Sequence, residues 1–118
     1  MATYSKQLLS GSTNGKGIKV AETSTPGTTI HTAVSGTDDH DEIWLYAINS
    51  GSAAVKLTIE FGGTSDPDDT IEQSIYGETG LVLLVPGLLL QSSLVVKAFC
   101  ETADIVIIHG FVNRITAA

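Results

Sequence analysis

From Thr28 to Ile115 the chain repeats one device: a short run rich in β-branched and other apolar residues, closed off by Gly, Pro, Asn, Asp or Ser. Apolar side chains at every second position suit a pleated strand with one buried face, and no stretch carries the helical period that would compete with it. The clearest case is Asp41–Gly62, DEIWLYAINSGSAAVKLTIEFG. Val55, Leu57, Ile59 and Phe61 alternate with Lys56, Thr58 and Glu60, which predicts one buried and one wet face. Ile43 to Ile48 is apolar on both faces, as expected of a strand covered twice. Asn49-Ser50-Gly51-Ser52 supplies turn residues, and the whole stretch reads as a β-hairpin.

The same reasoning places strands at about 28–35, 42–49, 53–61, 70–76, 80–85, 88–91, 94–101 and 104–115. Eight short strands with turn signals between them predict an all-β, antiparallel sandwich or barrel. At 118 residues the chain is expected to be a single domain with one core. Pro86-Gly87 reads as a turn, because proline leaves no ladder donor; the alternative is a bulge inside one long strand. With a turn there and strands that reverse in succession, one end of the sandwich gathers 36–41, 62–69, Pro86-Gly87 and 101–104. The other end gathers 49–52, 77–80 and 91–93 and is nearly uncharged. The strands from 81 and from 104 are apolar on both faces, and a neighbouring subunit is the simplest outer cover.

Residues 1–17 read as an extended arm, since Tyr4, Leu8 and Leu9 are too few for a core and GSTNGKG is a flexible run. Ile18 and Val20 start a short strand. The expected division is therefore 1–27 for the arm and short strand, and 28–118 for the sandwich.

Net charge is −7, which argues against nucleic acid, whose phosphates require a basic face. The balance is uneven: residues 1–22 hold Lys6, Lys16 and Lys19 against Glu22, and the body is acidic. Charged residues are only 16% of the chain, which points to surface hidden in subunit contacts, although a Ser/Thr/Gly-rich exterior explains it equally well. The lone Cys100 excludes an intrachain disulfide and reads as a buried thiol. No signal-peptide run opens the sequence, and Leu81–Leu90 is too short to span a bilayer. The expectation is synthesis in the cytosol, with no membrane partner.

One constellation has the residue types for chemistry. Asp38, Asp39, Asp41 and Glu42, with Asp66, Asp68 and Asp69, could supply the oxygen ligands of calcium. Neither loop follows the EF-hand pattern, and the plainer readings are solvated, mutually repelling loops or a contact for a basic partner. His31, His40 and His109 are scattered, with His40 the best placed for a metal. No G-x-S-x-G elbow singles out a nucleophile, and GSTNGKG lacks phosphate-loop spacing. Trp44 and Tyr46 share one face of their strand, either as a sugar-stacking platform or as core or intersubunit packing. No catalytic residue and no cofactor is assigned.

The run from Asp41 to Gly63, PDDTIE at 67–72, GETGLVLLVPGLLL at 77–90 and IVIIHGFVNRI at 105–115 resemble small virion proteins of tailed bacteriophages, most of all the capsid decoration, or cement, proteins. The resemblance covers roughly residues 38–115 and rests on strand and turn wording. It implies a jelly-roll-like sandwich with an N-terminal arm, a homotrimer, and a place on the outer surface of an icosahedral head made in the host cytoplasm. The partner it implies is the major capsid protein, and it carries over no enzymatic residues. Proteins of this look also occur in tails, necks and fibres as carbohydrate- or receptor-binding modules.

Overall fold

In the computed structural model, which describes residues 2–117, two antiparallel sheets enclose one core, and no helix occurs among the described residues. The strands are β1 (Thr3–Leu8), β2 (Ile18–Lys19), β3 (Thr28–Thr32), β4 (His40–Asn49), β5 (Val55–Phe61), β6 (Thr70–Ile75), β7 (Val82–Leu90), β8 (Val95–Cys100) and β9 (Val106–Thr116). The first sheet runs β1-β9-β4-β7, with β2 also paired to β9; the second runs β3-β8-β5-β6. Ile43, Leu45, Ala47, Val85, Ile108 and Val112 face Ile30, Leu57, Ile59, Val96, Ala98 and Cys100 across the interior. The period-two pattern places these side chains, because a strand can bury only every other residue against a facing sheet.

The Asp41–Gly62 stretch is two strands and a turn, as expected, but not a hairpin. β4 pairs with β9 and β7, whereas β5 pairs with β6 and β8. Residues 50–54 are an arch between sheets. Turn residues dictate that a chain reverses, not that its two arms share a ladder. The buried Asn49 carboxamide braces the arch, donating to the carbonyls of Ala53 and Ile75 and accepting from the Gly51 amide.

Pro86-Gly87 is not a turn. Both residues lie inside β7, whose pairing with β4 slips once between Ile43 and Trp44 and again between Leu45 and Tyr46. Gly87 is the extra residue of the first bulge, at φ +83°, a backbone region that glycine enters without steric cost. β7 is an edge strand, so a residue without an amide donor is tolerated there. Removing this turn exchanges the positions of two loops. Residues 33–39, 62–69 and 91–94 share one end of the sandwich, and 50–54, 76–81 and 101–105 share the other. Five aspartates, 38, 39, 66, 68 and 69, stay together at the first end, but Glu78, Glu101 and Asp104 lie at the second, which is not uncharged.

The N-terminal residues join the sheet. β1 pairs with β9 from Thr3↔Thr116 to Leu8↔Phe111, and β2 pairs through Ile18↔Ile108. Leu9, Ile18 and Val20 are buried in the common core.

Candidate functional site

Directly opposed residues of an antiparallel ladder share a face, so the register fixes what the first sheet shows to the outside. Trp44 opposes Phe111, Tyr46 opposes His109, and Ile48 opposes Ile107. On one flank Tyr4 and Leu8 of β1 oppose Ile115 and Phe111. On the other flank Leu83, Pro86 and Leu89 of β7 oppose Tyr46, Trp44 and Glu42. The outward face thus carries apolar and aromatic side chains on all four strands, interspersed with Lys6, His40, Glu42, His109 and Asn113. Its flanks are open, with Tyr4 67%, Leu8 59%, Leu83 48% and Leu89 54% exposed.

The middle of the face is built to be rigid. The Trp44 and Phe111 rings are nearly parallel, 6° apart in plane with centroids at 6.2 Å. Lys6 Nζ stands 4.5 Å from the Phe111 centroid, the geometry of a cation–π contact. Trp44 Nε1 donates to Glu42 Oε1 at 2.8 Å, so the indole has no unmet donor. Beneath the indole lies Gly87, where a Cβ would come within 2.9 Å of the ring. Trp44 and Tyr46 share a face, as expected; it is the outward one, and both are half-buried among neighbours.

The acidic residues are drawn apart. Asp41 points inward and is fully buried. Its Oδ1 accepts from Arg114 Nε at 2.8 Å, and its Oδ2 accepts from Arg114 Nη2 at 3.1 Å, from the Val34 amide and from His31 Nε2 at 2.8 Å. Burial alone pushes the Asp41 carboxyl up, but the hydrogen bonds from Arg114 and His31 and the guanidinium charge outweigh it and hold the group below its usual range. Asp39 accepts from the Ala117 amide, Asp66 from the Thr70 hydroxyl and Asp69 from the Ser65 amide. Asp38 and Asp39 line an open cleft of about 500 Å³ with Ser35, Gly36, Thr116 and Ala117. Asp68 is exposed on its loop. Among the described residues no three His, Cys, Asp or Glu side chains converge as a metal site. The calcium reading has no geometric support beyond the shared pole.

His31 is buried beside Asp41, but no serine hydroxyl meets it. With Nε2–H given to Asp41, its Nδ1 accepts the Ser10 backbone amide at 2.9 Å, while Ser10 Oγ accepts from the Thr32 amide. The arrangement fastens the residues after β1 to β3. His40 and His109 sit half-buried on the outward face, at positions opposing Ile115 and Tyr46. Burial pushes the Cys100 thiol up, away from thiolate chemistry.

A second buried carboxylate escaped the alternation of β5. Thr58 and Glu60 point out of the second sheet yet are only 4% and 1% exposed. Glu60 accepts from the Thr25 hydroxyl and from the Gly27 amide at 2.7 Å, so residues 25–27 fold over that face.

No family model matches the chain, and no curated protein or solved structure shows significant similarity to it.

Proposed function

We propose that this protein is a non-enzymatic structural component of a virus particle, a capsid decoration protein that works by contact. In this reading copies associate as a homotrimer, and the assembly binds the major capsid protein on the outside of an icosahedral head. The N-terminal segment is part of that contact. The observation that carries the proposal is the outward face of the β1-β9-β4-β7 sheet, with apolar and aromatic side chains on all four strands. With strands ~4.8 Å apart and ~3.3 Å per residue, its four strands span roughly 600 Å², close to the ~800 Å² each partner gives a standard interface. Glu42, held by Trp44, is the one acid among the residues named on that face, so copies of an acidic chain can meet there without stacking their negative charge.

The strand order also supports a jelly-roll reading, with β1 and β2 taken as two pieces of one first strand along β9. The buried polar groups favour contact over catalysis, since His31, Asp41 and Glu60 each accept a backbone amide and so hold a segment of the chain in place.

The test is light scattering of the purified protein at micromolar concentration, followed by co-sedimentation with expanded heads stripped of decoration. The expected results are a trimer and saturable binding. A 12.3 kDa species that does not sediment with heads overturns the reading. One observation favours a second reading, a carbohydrate- or receptor-binding module of a tail, neck or fibre: Trp44 and Tyr46 lie outward side by side. Glycan-array binding abolished by Trp44→Ala would establish that alternative.

A further inference from the structure

Residues 3–11 are bound to the rest of the protein almost entirely through partners beyond residue 17. β1 contributes six register pairs to β9. Leu9 enters the core at 3% exposure. The Ser10 amide donates to His31, the Thr32 amide donates to Ser10 Oγ, and the Gly11 amide donates to the Ile30 carbonyl at 2.9 Å. The link that follows, Ser12 to Gly17, is different. Its hydrogen bonds are local, Ser12 to Leu9, Gly15 to Ser12 and Lys16 to Thr13, and it reverses through two consecutive left-handed residues, Asn14 at φ 55° and Gly15 at φ 84°. Asparagine occupies that region at some steric cost, which an extended link would relieve.

We infer that residues 3–11 are an exchangeable unit that docks on β9 and β3 of a second copy of this chain, with residues 12–17 as the hinge. The occupant of the vacated edge is fixed by the geometry. The only surface known to complement β1, Leu9 and Ser10 is the β9–β3 edge of this same fold, and a neighbouring copy offers it residue for residue. Exchange therefore keeps every contact of the unit with β9 and β3, giving up only local bonds such as Ser12 to Leu9 as the hinge opens, the condition under which swapping costs least. Six extended residues reach roughly 20 Å, enough to bridge adjoining copies. This inference rests on the self-association proposed above but is separable from it.

The experiment uses the paired positions Lys6 and Asn113, which oppose each other on the outward face, as the double variant Lys6→Cys/Asn113→Cys. Tyr4→Cys/Ile115→Cys is the second pair, in case the first fails to fold. After oxidation of the assembled protein, a denaturing non-reducing gel is expected to show covalent dimers and larger species that collapse on reduction. Chains that run only as monomer overturn the exchange. If light scattering then still reports an oligomer, the assembly proposal stands without the exchange; if it reports a monomer, both fall.

Discussion

Asp41 and Arg114 are direct cross-strand partners on β4 and β9, and the guanidinium grips both oxygens of a carboxylate that water does not reach. The same carboxylate takes His31 Nε2–H and the Val34 amide, so one group joins β3, β4, β9 and the loop between β3 and β4. Asp41→Ala removes the acceptor for all of these donors and leaves a cation without its partner. The expected loss is roughly 3 to 5 kcal/mol of unfolding free energy, measured by urea denaturation, because breaking one side of a buried pair strands the other.

The Asp41 carboxyl is held below its ordinary range in the folded protein. Its contribution to stability is therefore complete above the unfolded value of about pH 4 and is lost as pH falls through the lower folded value. Urea midpoints measured in steps from pH 6 to pH 2 should fall in the lower part of that series. In Asp41→Asn the fall should be shallower. An equal slope in both proteins would assign the acid sensitivity to other carboxylates.

Gly87 and Gly110 are close-approach positions of different kinds. A Cβ at Gly87 would meet the Trp44 ring at 2.9 Å, in a backbone region that alanine resists. A Cβ at Gly110 would come within 2.1 Å of the Trp44 carbonyl oxygen, which is backbone and cannot step aside. Both alanine variants should lower the melting temperature, Gly110→Ala the more. Only Gly87→Ala should alter tryptophan fluorescence through direct contact with the indole.

Leu83 and Leu89 are about half exposed, so charging them costs the folded chain little. Leu83→Lys/Leu89→Lys should leave far-ultraviolet circular dichroism and the melting curve near those of the parent. It should shift the scattering mass toward the monomer. An unchanged mass would remove this flank from the contact surface.

Much of this fold was legible in the residues, since strand-forming runs and the turns that bound them are local properties. The division of strands between sheets was not. Asn49–Ser52 announces a reversal equally well for a hairpin and for an arch, and only the long-range partners β9 and β8 decide between them. Pro86 was read by its missing donor, whereas an edge strand needs none on its free side. Asp41 had a visible signal, because it shares the parity of Ile43, Leu45 and Ala47 and so belonged to the inward set rather than to an acidic loop. Glu60 had none, because its cover comes from residues 25–27, far away in sequence.

β9 pairs with β1, β2 and β4, and it is made after all eight other strands. Until β9 docks, the first sheet has no partner for β1 or β2, and the β4–β7 ladder is open along one side. Its earliest and latest residues must find each other, a search that carries the highest loop-closure entropy the chain offers. Folding of this sheet is thus expected to be slow. During that interval the bare edge of β4 is the place where two incompletely folded chains would join by mistake.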